Sequence, residues 1–238
     1  MRITFPPRTR RAALDEAAAG YSSASLPGAR TPWRQANWCV LDFELTGLDP
    51  REDEIISFGA IPIDDGRLQL RTAISGLVRP VRESSEASVR VHGIRTADLA
   101  RAPVLADAID PLLRTISGRV LVAHAAAVER AFLGRALKDR GVRLRGPVVD
   151  TEVLGCLWLH ARDGRVRHRI GLGELASALG LPAERPHDAL GDALTTAQVF
   201  IVLTAHLDAL YCETVGSLAR APRRLETLRT FDVGTLSR

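Results

Sequence analysis

At 238 residues, 46% hydrophobic and 25% charged, the chain has the apolar content of one sizeable core with extensions, which excludes disorder over most of its length. Its formal charge is +4, with nearly all the positive charge on arginine, a balance compatible with a polyanionic partner. The three cysteines, Cys39, Cys156 and Cys212, are scattered and odd in number, which excludes a disulfide framework or a zinc spacing and fits a reducing cytoplasm.

Residues 1–36 combine a Pro-Pro pair, the basic cluster Arg8, Arg10 and Arg11, an alanine run and a breaker-rich stretch, "YSSASLPGARTP". They read as an extension that packs loosely or binds something. No apolar leader region and no run of about 18 unbroken apolar residues is present, so neither secretion nor membrane insertion is expected. A domain is expected over residues 37–207, with a helical tail at 208–238.

"WCVLDFEL" reads as the first strand. Its two acids, Asp42 and Glu44, project to one side while Leu41, Phe43 and Leu45 project to the other. Two carboxylates sharing an environment need solvent, a proton or a cation. An exposed edge strand and a metal site satisfy that requirement equally well.

"EIISFGAIPIDDGRL" reads as a strand and an Asp-Asp-Gly turn, and "RTAISGLVRP" as a third strand, together an antiparallel meander. "TADLARAPVLADAIDPLLRTI" is helical and broken by Pro103 and Pro111. "RVLVAH" is a short buried strand, followed by a helix that ends at Gly141. "GPVVDTEVLGCLWLH" runs from strand into helix, with Asp150 as a structural cap. A shorter helix stops at Gly180, and a long amphipathic helix begins just after Pro186. Strand-helix alternation after a meander predicts an α/β fold, a mixed sheet with helices on its faces.

Further acids and histidines stand where elements begin or end. Glu129 is near the start of a helix, His124 ends a strand, His187 lies in a turn and Asp192 in the helix after it. Each has an ordinary reading alone: a solvated acid, a hydrogen-bonded structural histidine, a helix cap, a charge complementing a helix dipole. His187 and Asp192, five apart, meet only if His187 reaches around from the turn.

In this order the residues resemble the DEDDh 3′–5′ exonucleases, the family containing the epsilon proofreading subunit of bacterial DNA polymerase III and ribonuclease T. The resemblance rests on "VLDFELTG", "VHGIRTADLARAP", "LVAHAAAVERAFL" and the His-to-Asp spacing of "HDALGDA". It implies a ribonuclease H-like fold with a five-stranded mixed sheet and a metal-dependent exonuclease that releases nucleoside 5′-monophosphates. It implies that Asp42, Glu44, Asp192 and Glu129 bind two Mg²⁺ or Mn²⁺ ions and that His187 takes the proton from the attacking water. Leu45, Thr46 and Gly47 would hold the 3′-terminal nucleotide, and His124 stands beside them as a candidate substrate contact. The implied partners are a single-stranded or frayed nucleic-acid 3′ end and a DNA polymerase, which the arginine-bearing tail could dock; DNA is expected over RNA.

The chain departs from the family's second motif, usually His-Asn-Ala-x-Phe-Asp, at Ala125 and Glu129. The alternatives are an RNA-directed exoribonuclease or a nucleic-acid-binding, polymerase-associated module whose catalysis has been impaired. The retained His187 and three family-type carboxylates argue against impairment. "ARDGRVRHR", residues 161–169, reads as a basic loop that contacts a nucleic-acid backbone or is merely solvated.

Overall fold

The computed structural model describes residues 16–182 and 187–235. The cluster Arg8, Arg10 and Arg11, and Pro186, lie outside the described residues.

Two apolar strands form the spine. β1 (Trp38–Leu45) and β2 (Ile55–Asp64), rich in β-branched and aromatic residues, pair antiparallel from Trp38 opposite Ile63 to Leu45 opposite Ile55. A turn through Asp65 and Gly66, both with positive φ, leads into β3 (Arg67–Leu68), and β4 (Ile74–Leu77) pairs with β2 nearer its start. β5 (Val120–Ala123) and β6 (Val148–Asp150) add in parallel on the far side of β1. The order is β3-β2-β1-β5-β6, with β4 also against β2. The mixed sheet is the expected one plus a two-residue strand, because β2 is long enough to pair with β3 and β4 at separate places. β1 is interior, so the edge-strand reading of Asp42 and Glu44 falls away.

Helices cover both faces. α1 (residues 16–23), α4 (Leu105–Ile116) and α5 (Ala127–Asp139) bury Tyr21, Ile109, Leu113, Phe132 and Leu137 against Cys39, Leu41 and Phe43. On the other face α6 (Thr151–Asp163), α7 (Leu172–Ala178) and α8 (Ala189–Tyr211) pack on Trp38, Val40, Ile61 and Val122. Two short helices, α2 (Glu86–His92) and α3 (Thr96–Leu99), link β4 to α4. Trp38 and Val40 share the face of Asp42 and Glu44, so one surface of β1 passes from apolar core to acid within a few residues.

Three expectations are corrected. Pro111 does not break a helix: it sits exposed inside α4, whose buried Ile109, Leu112, Leu113 and Ile116 hold the helix together around the missing N–H. α8 is not amphipathic in the usual one-sided sense. It is long and apolar enough by composition to span a bilayer, yet it lies on the sheet and is flanked by α6 and α7, so burial comes from several sides.

The third correction concerns the segment before residue 37, whose described part does not pack loosely. Trp33 is 1% exposed and meets Phe200 edge-on at 6.5 Å, and its carbonyl accepts from the Trp38 indole at 2.8 Å. Backbone N–H groups of Trp33, Val215 and Gly216 bond to Glu213, Thr31 and Ala29 respectively, lacing this segment to the chain beyond α8. There α9 (Val215–Ala219) and α10 (Ala221–Thr235) follow, and Leu218 and Leu225 complete the same core. The buried Glu213 carboxylate, paired with Arg224 at 2.7 Å and with the Ser217 hydroxyl, pins the junction.

Candidate active site

The acidic end of β1 is completed by the first turn of α8. A lone glycine makes this meeting close: Gly59 pairs with Asp42 across the β1–β2 ladder, and a Cβ placed on it would stand 2.2 Å from the Ala189 carbonyl oxygen. With no side chain there, the start of α8 rests on the sheet beside Asp42. Asp188 caps the helix by accepting from Gly191 N–H at 3.1 Å, and Asp192 follows one turn on.

Asp42, Glu44 and Asp192 thereby offer carboxylate oxygens that all lie within 4.8 Å of one another. Burial raises the Asp42 pKa well above the usual carboxylate range, and the charges of Glu129, Asp192, Glu44 and Asp188 raise it further. Glu44 is pushed up to about 7, by burial and then by Asp192 and Asp188. Burial raises Asp192 too, opposed by the His187 backbone N–H, which donates to its Oδ2 at 2.8 Å.

Glu129 lies in the first turn of α5, outside that tight cluster, yet its charge is the largest acting on Asp42. It is 8% exposed, its Oε2 has no hydrogen-bond partner, and burial followed by Asp150 pushes it up to about 7. An orphaned buried carboxylate oxygen beside three crowded carboxylates is a donor set of hard oxygens, and it fits divalent cations such as Mg²⁺ or Mn²⁺.

These shifts fix a pH dependence. Between about 4.5 and about 7 the unfolded chain has released glutamate protons that the metal-free folded site still holds, so stability falls as pH rises through this window. The metal-free protein is expected to melt at higher temperature near about pH 5 than near about pH 8, and added Mn²⁺ to raise the midpoint more at the higher pH. A thermal scan with a flat profile and no cation dependence would contradict the crowded-carboxylate account.

α5 itself is aimed by a clamp. The Asp150 carboxylate accepts from the N–H groups of Ala125 at 3.1 Å, Ala126 at 3.0 Å and Glu152 at 2.9 Å, joining the end of β6, the cap of α6 and the turn before α5. The expected capping role of Asp150 is present and extends to this turn. Ala125 is held at φ 54, a left-handed conformation in which asparagine is at home and alanine is not. Ala125→Gly is expected to stabilise the protein by about 1 kcal/mol, read from a urea midpoint shift at unchanged slope.

The remaining sequence candidates are placed as follows. His187 is exposed at φ 63 in the turn before α8, reaching around to Asp192 through its backbone. His124 has both ring nitrogens engaged, with Thr151 Oγ1 at 3.0 Å and the Ile170 carbonyl at 3.1 Å. Leu45 packs into the core and Thr46 is 2% exposed, while Leu48, just beyond the turn, is 78% exposed. Three of the four arginines of residues 161–169 are engaged locally: Arg162 with Asp163, Arg167 with Glu174 and Arg169 with Glu152.

Sequence reasoning passed over Gly59 and His92. The signal for Gly59 was a lone glycine in an apolar strand. His92 ends α2 within "VHGI" and is half-buried; its pKa is lowered by burial first, with the neighbouring His187 charge adding to it. A histidine beside the helix-ending Gly93 was the available cue.

The exonuclease family model matches residues 39–200. A DNA polymerase III subunit epsilon-like protein of Rhodobacter capsulatus is 34% identical over 201 residues, an alignment covering 82% of this chain and 28% of that protein. A DNA polymerase III PolC-type of Thermotoga petrophila is 35% identical over 170 residues, covering 71% of this chain and 12% of that one. The chain thus spans about a quarter or less of the length of these two relatives. Among solved structures, exonuclease X in complex with 5′ overhanging duplex DNA aligns with a TM-score of 0.58 at 22% identity, over 77% of this chain and 98% of that one. The nuclease domain of 3′hExo bound to rAMP aligns with a TM-score of 0.60 at 18% identity, over 77% and 96%. Both share the fold.

Proposed function

The chain belongs to the exonuclease family, and from that premise we propose that it is a 3′–5′ exonuclease acting on single-stranded or frayed DNA ends, with nucleoside 5′-monophosphates as products. The observation that carries this reading is the convergence of Asp42, Glu44 and Asp192 within 4.8 Å beside a solvent-open histidine.

Asp42, Glu44, Asp192 and Glu129 would hold two divalent ions, Mg²⁺ or Mn²⁺. Such ions, when bound, lower the pKa of water and neutralise phosphate charge. The chain's own residues do the rest. His187 accepts the proton of the attacking water, and its backbone tie to Asp192 keeps it at the mouth of the site. The Gly47 end of the Thr46–Gly47 turn and the exposed Leu48 side chain receive the terminal nucleotide. DNA is preferred because the two relatives are named for DNA polymerase III, one as subunit epsilon-like and one as PolC-type; by the same argument a polymerase is the proposed partner, in a soluble cytoplasmic setting.

The test is a time course on 3′-labelled DNA and RNA oligonucleotides with Mg²⁺, Mn²⁺ or EDTA. Metal-dependent release of mononucleotides, faster from DNA, is expected. Products longer than one nucleotide, or release that persists in EDTA, would overturn the proposal. A protein that binds oligonucleotides and cleaves none would instead identify the binding module.

A further inference from the structure

We infer that Asp53 is a positioning residue for the nucleotide subsite, acting through Thr46 and Gly47; the inference rests on the reading that the Thr46–Gly47 turn receives the 3′-terminal nucleotide. The β1–β2 register slips between Glu44 and Leu45, so regular pairing ends where the ligands of the site end. Thr46, the second residue after the slip, is a junction with all its polar atoms in use. Its N–H donates to the Glu54 carbonyl at 3.0 Å, its hydroxyl donates to Asp53 Oδ1 at 3.0 Å, and the same hydroxyl accepts from Glu54 N–H at 3.0 Å. Its carbonyl accepts from Ser85 N–H at 3.2 Å and from the Ser88 hydroxyl at 2.9 Å.

The second oxygen of Asp53 accepts from Asp49 N–H at 2.9 Å, so one carboxylate ties both ends of the loop that leaves β1. Gly47 lies flat against that carboxylate. A Cβ on it would stand 2.4 Å from Oδ2 and 2.6 Å from Cγ and Oδ1, so any side chain there would push the Asp53 carboxylate off its two hydrogen bonds. Through the Thr46 carbonyl the tie continues into α2, whose last turn bears Val91 and His92. Asp53 therefore sets the spacing between Glu44 and α2, the two walls between which a nucleotide would sit. It touches neither the reacting phosphate nor a metal, and its effect is on grip.

The experiment compares Asp53→Ala with wild-type protein in two readouts. One is steady-state release of nucleotide from a 3′-labelled DNA oligonucleotide; the other is anisotropy of the same oligonucleotide titrated with protein in EDTA. KM is expected to rise about tenfold with kcat within about threefold of wild type, and affinity in EDTA to fall by a similar factor. Asp53→Asn keeps an acceptor for the Thr46 hydroxyl but turns an NH₂ toward Asp49 N–H, and falls between. It also carries the comparison if Asp53→Ala does not fold. Unchanged KM and affinity, or kcat lost at unchanged KM, overturns the inference. Wild-type protein that binds the oligonucleotide yet releases nothing overturns the nuclease reading alone, because the affinity readout still reports on Asp53.

Discussion

Replacing Asp42 by asparagine is expected to lower nucleotide release by on the order of a thousandfold, the scale seen when a group that stabilises transition-state charge is removed. Asparagine keeps the shape and the Gly59 pairing of β1 but removes a charge on which Glu129, Asp192 and Glu44 all press. The same substitution should therefore raise the melting temperature of the metal-free protein at neutral pH, because a buried amide costs less to desolvate than a crowded carboxylate. Measuring both on one preparation separates a functional acid from a structural one. Loss of activity accompanied by a lower melting temperature would mean that Asp42 holds the fold rather than the reaction.

The second large effect is expected at a residue with no chemistry of its own. Gly59→Ala places a Cβ 2.2 Å from the Ala189 oxygen, 2.6 Å from its carbonyl carbon and 2.7 Å from Leu190 Cα, all of them backbone. Nothing there is the flexible end of a side chain, so the start of α8 has to lift, at a cost of about 1–3 kcal/mol as overpacking. Asp188, Asp192 and the His187 turn lift with it. A shift of about 1 Å in such a constellation costs on the order of a hundredfold in rate. Gly173→Ala, in α7 with nothing within 4 Å of the added methyl, is the control expected to gain stability. If Gly59→Ala retained full turnover, α8 would not owe its position to that glycine.

The acids of β1 were legible because strand alternation is a two-residue rule that needs no tertiary knowledge, and Asp42 and Glu44 do share a face. Their neighbours were not. Whether β1 lies at an edge depends on β5, some 75 residues later, pairing beside Trp38, Cys39 and Val40, a long-range fact that local periodicity does not contain. Pro111 looked like a breaker because the missing N–H is local, whereas the four large side chains that keep α4 intact are buried by other elements. Ala125 read only as a departure from the asparagine of the family's second motif; what the position demands is a left-handed backbone held by Asp150, visible only once β6 and α5 are side by side. The sequence offers the candidate site as a set of residue types; among its supports Gly59 and Asp53 escaped and Asp150 was seen only as a helix cap, because each acts across strands or loops.

The lacing of Trp33 and Thr31 to Glu213 and Val215 bears on where this protein can be cut. The exonuclease family model matches residues 39–200, a span that omits the indoles that cover Phe200 and the turns that close over it. A fragment trimmed to that span would lose both Trp33 and Trp38 and leave Phe200, which they cover, facing water, so recombinant pieces or fusions should keep residues 29–38 and the helices after Cys212 together. The span that the family model matches and the unit that folds have different borders here, and domain swaps between relatives should be joined at the outer ones.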